Sequence, residues 1–143
     1  MKALRFSEPQ DGWIEIAFMA GQANYTVVAS AVPNDCVSDL VQALVRLLFG
    51  SGAEQVQFSL EPEYATCHMR RDGANLHVTI LQPKRNEPVF EATFPILPFA
   101  KRIAFECKRL QPVYGKTATW GWEYPAREVE LLVAATKTMQ DSS

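Results

Sequence analysis

Apolar and polar residues alternate along much of this chain, and in three stretches the alternation gives way to helical spacing. Ala3 to Ser7 reads as a strand. Trp13 to Ala20 is a stronger one, with Ile14, Ile16 and Phe18 on one face and Trp13, Glu15 and Ala17 on the other. Gly21 to Asn24 is a turn, and Tyr25 to Ala31 is a third strand rich in β-forming residues. The pattern then changes. Val37, Leu40, Val41, Leu44, Leu47 and Leu48 share one face of a helix. Asn34 or Asp35 supplies its cap, and Gly50 and Gly52 end it.

Alternation returns with Val56, Phe58 and Leu60. Asp72-Gly73 is a two-residue hairpin signal. A hairpin centred there pairs Met69 with Leu76, Cys67 with Val78 and Ala65 with Ile80 on an apolar face. The same register pairs Arg70 with Asn75, His68 with His77 and Thr66 with Thr79 on a polar face. A further strand, Val89 to Ile96, offers Phe90, Ala92 and Phe94 to the core. Two helices complete the pattern. One is expected from Pro98 to Gln111, closed by Pro112 and Gly115, and the other from Ala126 to Lys137. The fold class is therefore α+β, an antiparallel sheet of about six to seven strands in the order βββα-ββββ-αα, with the helices packed on one face. Residues 1–139 form a single domain, and 140–143 are expected to be a flexible tail.

Composition adds limits. The chain has 143 residues, 48% hydrophobic and 21% charged, within the range of one ordinary globular domain. The longest apolar run, Val41 to Phe49, is interrupted by Gln42 and Arg46, so no membrane span is expected. Arg5, Glu8 and Asp11 interrupt the N-terminus, which argues against a signal peptide and for a cytoplasmic location. A net charge of −2 gives no reason to expect nucleic acid or an anionic membrane as partner. The three cysteines, Cys36, Cys67 and Cys107, have no CxxC spacing, so neither a disulfide framework nor a zinc knuckle is indicated.

Several groups invite chemistry. His68 opposite His77 suggests a metal pair, but no third histidine exists and Arg70 disfavours a cation; no metal and no cofactor is expected. Cys36 falls in the first turn of a helix, where the dipole lowers a thiol pKa, yet no histidine is placed as its base. Glu61 and Glu63 flank Pro62 on an open turn with nothing to separate their pKa values. No catalytic residue is expected. The polar sheet face and its adjoining turns, with Gln57, Glu61, Glu63, Tyr64, His68, Arg70 and His77, form one candidate partner-binding surface. The aromatic connection with Trp120, Trp122 and Glu123 is the rival, because such aromatics either anchor interfaces or lid a core.

Gly12-Trp13-Ile14, Tyr25 with Ala29-Ser30, Pro33-Asn34-Asp35, Asp39-Leu40, Ala43-Leu44 and Glu61-Pro62 occur in an order that resembles a family of small bacterial proteins. Phe99, Arg102, Tyr114-Gly115, Trp122, Tyr124-Pro125 and Glu130-Leu131 continue the likeness over nearly the whole chain. Some members resemble immunity proteins of polymorphic toxin and contact-dependent growth inhibition systems. The resemblance implies a non-enzymatic protein that binds a cognate toxin domain in the cytoplasm and blocks it. The alternatives are a small enzyme or ligand-binding protein with a pocket between sheet and helices, and a self-associating module.

Overall fold

The computed structural model describes residues 3–114 and 119–141. Seven strands form one antiparallel sheet in chain order: β1 (Leu4–Phe6), β2 (Trp13–Ala20), β3 (Ala23–Ser30), β4 (Ala53–Ser59), β5 (Tyr64–Asp72), β6 (Asn75–Leu81) and β7 (Phe90–Pro95). Helix α1 (Cys36–Leu48) joins β3 to β4, and α2 (Ile96–Tyr114) and α3 (Ala126–Asp141) follow β7. The expected order and class are those observed.

The sheet consists of two wings. β2 and β3 pair over their whole length, as do β4 to β7, but β3 meets β4 only at Ser30 and Ser59. Leu60 and Glu63 close the β4–β5 turn, where Glu61 adopts a φ of 48°. The wings curl around one apolar core. Phe18 from β2 lies 6.1 Å from Phe58 of β4 and 5.7 Å from Phe90 of β7, measured between ring centres. Inward residues Ile14, Ile16, Val27, Val56, Cys67, Val78 and Phe94 are all buried. Helix α1 packs on β4 and α3, and α2 packs on β1, β7 and α3.

Three local expectations change. The β5–β6 hairpin turns on Gly73-Ala74, with Asp72 paired to Asn75. Gly73 has φ +61° at the first central position, as a type II′ turn requires. The register therefore moves by two residues: Cys67 pairs with Ile80, Met69 with Val78, His68 with Thr79 and Arg70 with His77. A two-residue shift leaves every side chain on its expected face, because the strand period is two. Helix α2 begins at Ile96, directly after β7, and continues through Pro112 to Tyr114. Pro112 is tolerated in the last turn, where only the carbonyl of exposed Lys108 loses its intrahelical donor. Gly115 lies outside the described residues. Helix α3 runs past Lys137 and takes in Gln140, which the sequence places in the tail; the Lys101 ammonium donates to its Oε1 at 2.7 Å.

Candidate functional site

The outer side of the β4–β7 wing carries the polar halves of the alternating strands. His68 and Arg70 project from β5, His77 from β6, and Glu91 and Thr93 from β7. With Glu54 and Thr79 they line an open trough of about 580 Å³. His77 Nδ1 lies 2.7 Å from the Thr93 hydroxyl, and Nε2 lies 3.8 Å from the Asp72 carboxylate. His68 faces Thr79 and not His77, so the expected histidine pair is diagonal. Among the described residues no group of three or more His, Cys, Asp and Glu is placed to hold a metal ion.

Gln57 and Tyr64 sit beside this trough, in a second groove between β4 and α1 that also contains Asn34, Asp39, Gln42 and Arg46. The Gln57 carbonyl accepts from the Asn34 side-chain amide at 3.0 Å, which ties the approach to α1 onto β4. Glu61 and Glu63 occupy the β4–β5 turn. The Ser30 hydroxyl donates to Glu61, and Lys84 lies 3.6 Å from Glu63. These contacts fix the turn at the junction of the two wings.

The aromatic connection divides. Trp120 is buried, whereas Trp122 is 42% exposed. Trp122 nevertheless has its indole N–H anchored on the Ala31 carbonyl at 2.7 Å. Trp122 and exposed Glu123 line a third groove with Tyr124, Pro125 and Glu128, and this groove shares Pro33, Asn34 and Asp39 with the second. Gln57 and Tyr64 thus join Trp122 and Glu123 along two grooves with shared walls, and His68, Arg70 and His77 line a trough of their own. Glu61 and Glu63 sit on the turn, and buried Trp120 supports the aromatic connection from within.

Asp35 organises that support, and its sequence position identified it only as a possible cap. It is the N-cap of α1: one carboxylate oxygen accepts from the Ser38 N–H at 3.2 Å and from the Trp120 indole N–H at 3.0 Å. The other accepts from the Tyr114 hydroxyl at 2.7 Å. Burial pushes its carboxyl above the usual range, and the Tyr114, Trp120 and Ser38 donors only partly offset this. The neighbouring Cys36 is fully buried. Burial, then the charges of Asp35 and Asp39, raise its thiol pKa well above the ordinary value, so the helix dipole does not make it a nucleophile. Cys67 and Cys107 are likewise pushed up by burial, each to about 12.

An exposed apolar pair lies on the outer side of the β1–β3 wing, the face opposite the core to which the alternation assigns Trp13. Trp13 and Val28 lie there at 37% and 47% exposure, beside Glu8, Asp11 and Glu15. No family model, no curated protein and no solved structure matches this chain.

Proposed function

We propose that this is a non-enzymatic binding protein, and concretely a cytoplasmic immunity protein that binds and neutralises a cognate toxin domain. The observation that supports binding is the outer side of the β4–β7 wing, which none of the described helices covers. The helices pack against the inner side, and the outer side holds Gln57, His68, Arg70, His77, Thr79 and Thr93 on rigidly paired strands. A stable complex needs roughly 800 Å² from each partner, an area that four paired strands and their turns can supply. The toxin as partner rests on the resemblance in the pattern of residues from Gly12 to Leu131.

The test asks first whether the neighbouring gene encodes a toxin-like domain, and then uses that domain as the binding partner. His68→Glu combined with Arg70→Glu is expected to weaken binding tenfold or more, about 1.4 kcal/mol. Trp122→Ala is measured in parallel, after circular dichroism shows that each variant folds. An unchanged affinity in the sheet variant, with a tenfold loss in Trp122→Ala, moves the site to the aromatic groove. Absence of any complex with that domain defeats the immunity reading.

A further inference from the structure

We infer that the free edge of β7 is a strand-addition site for an extended segment of a partner polypeptide. This deepens the binding reading by naming how a partner docks, and it rests on the partner being a polypeptide and not on its being a toxin.

The direction of the backbone groups follows from the ladder. The Ile96 N–H donates to the Ala74 carbonyl at 2.8 Å, across the end of the β6–β7 pair. Hydrogen-bonded pairs alternate along an antiparallel ladder. Stepping by two through the register, Leu76 with Phe94, Val78 with Ala92 and Ile80 with Phe90 exchange bonds. The N–H and C=O of Glu91 and Thr93 therefore point away from β6, whereas the Pro95 C=O accepts the first bond of α2. β7 is the last strand of the sheet, so among the described residues no strand is hydrogen-bonded to it on that side, although β2 and β3 pass close to it across the curled sheet. Pro95 occupies an outward position, where its missing N–H costs the sheet nothing.

The opposite edge is treated differently. Three of the outward groups of β1 are taken by α2: the Arg102 guanidinium donates to the Leu4 carbonyl at 2.8 Å, and the Phe6 N–H donates to Glu106 at 2.8 Å. Arg109 donates to the Phe6 carbonyl. This is an edge closed against pairing. Glu91 and Thr93 have no such backbone partners among the described residues. Beside them is a shallow groove of about 620 Å³, lined by Ala3, Met19, Ala20, Gly21, Phe94 and Pro95.

Two N–H and two C=O groups, on residues two apart, match the backbone of an extended chain. The groove selects an apolar side chain from that chain. Glu91, on the outer face, selects a Lys or Arg opposite it. A second copy fits less well. Antiparallel β7–β7 pairing centred on Thr93 sets Pro95 against Glu91 and leaves the Glu91 carbonyl without a donor. Pairing centred on Ala92 brings two Glu91 carboxylates onto one face.

The test begins with amide exchange of the free protein. The Glu91 and Thr93 amides are expected to exchange fast, and those of Ala92 and Phe94 slowly; protection of Glu91 and Thr93 in the monomer overturns the proposal. A displayed library of random ten-residue peptides is then selected on the whole protein. Selected peptides are expected to protect the Glu91 and Thr93 amides, and to lose at least tenfold in affinity when alternate peptide amides are N-methylated. They are expected to lose as much against Thr93→Pro, which removes one outward N–H. If that variant does not fold, the N-methyl series on the unaltered protein decides. Recovery of no peptide, or of peptides indifferent to N-methylation, overturns the proposal. Dimerisation that protects these amides assigns the edge to a second copy and overturns it equally. Toxin binding that survives His68→Glu/Arg70→Glu but fails in Thr93→Pro separates failure of the outer-face site from failure of the edge.

Discussion

Asp35 is the residue on which three elements converge. It caps α1, holds the last residue of α2 through Tyr114, and holds the aromatic connection through Trp120. Asp35→Ala removes a cap, worth about 1 kcal/mol. It also orphans a buried hydroxyl and a buried indole N–H, each at about 1–3 kcal/mol. The expected loss is at least about 2 kcal/mol by urea denaturation. Asp35→Asn, which keeps an acceptor, is expected to lose much less. The sign of the pH effect follows from the raised carboxyl: the stability this group contributes is full below the unfolded carboxyl pKa and is lost as pH rises through the folded one. The cysteines give a second prediction at this scale. All three thiols are buried, with raised pKa values. Ellman's reagent is expected to label none of them quickly in the native protein and all three in denaturant. Rapid native labelling of Cys36 would restore the case for a reactive thiol.

Between elements, α2 does two jobs. Its apolar face enters the core through Phe99, Ile103, Cys107 and Leu110, and the Phe99 ring lies tilted against Phe94 of β7, 4.8 Å between ring centres. Its Arg102, Glu106 and Arg109 close the edge of β1. Glu106 is 1% exposed. Burial raises its carboxyl pKa, but the Arg109 hydrogen bonds, the Phe6 N–H and the charges of Arg109 and Arg102 outweigh burial and hold it below the usual range. Its contribution is therefore present above the unfolded carboxyl pKa and is lost as pH falls through the folded value. Glu106→Gln is expected to cost about 1–3 kcal/mol at neutral pH. The variant is also expected to lose less further stability on acidification than the parent chain. Parallel acid profiles for the two proteins would show that the triad does not act through charge.

At the scale of the molecule, one core joins both wings of the sheet to all three helices. Its buried residues run from Ala3 in the first wing to Ala135 in α3 without a division. Unfolding is expected to be a single cooperative transition. Tryptophan fluorescence, which reports Trp13 on β2, Trp120 beneath α1 and Trp122 beside it, should coincide with far-ultraviolet circular dichroism in a urea titration. Separated midpoints would mean that the single Ser30–Ser59 pairing lets the wings melt apart.

The sequence by itself determined which residues face the core. Alternation placed Ile14, Ile16, Phe18, Val56, Cys67 and Val78 inward, and helical spacing did the same for Leu40, Leu44 and Leu47, because burial acts on each residue's own face. That assignment survives a two-residue slip, which is why the β5–β6 register moved while the polar face of candidate residues did not. Registry itself depended on Gly73 adopting φ +61°, a turn geometry that Asp72-Gly73 and Gly73-Ala74 compete for locally. The tertiary structure alone decided the rest. Trp120 and Trp122 are near neighbours in sequence, yet one is buried and the other exposed. The difference depends on where Asp35 and the Ala31 carbonyl sit, both about 90 residues earlier. Likewise Arg102, Glu106 and Arg109 look like an ordinary charged helix face until β1 is laid against them, about 100 residues away in the chain. Hydrogen bonds between groups so distant leave no periodic trace, since only the packed core brings the partners within 3 Å of one another.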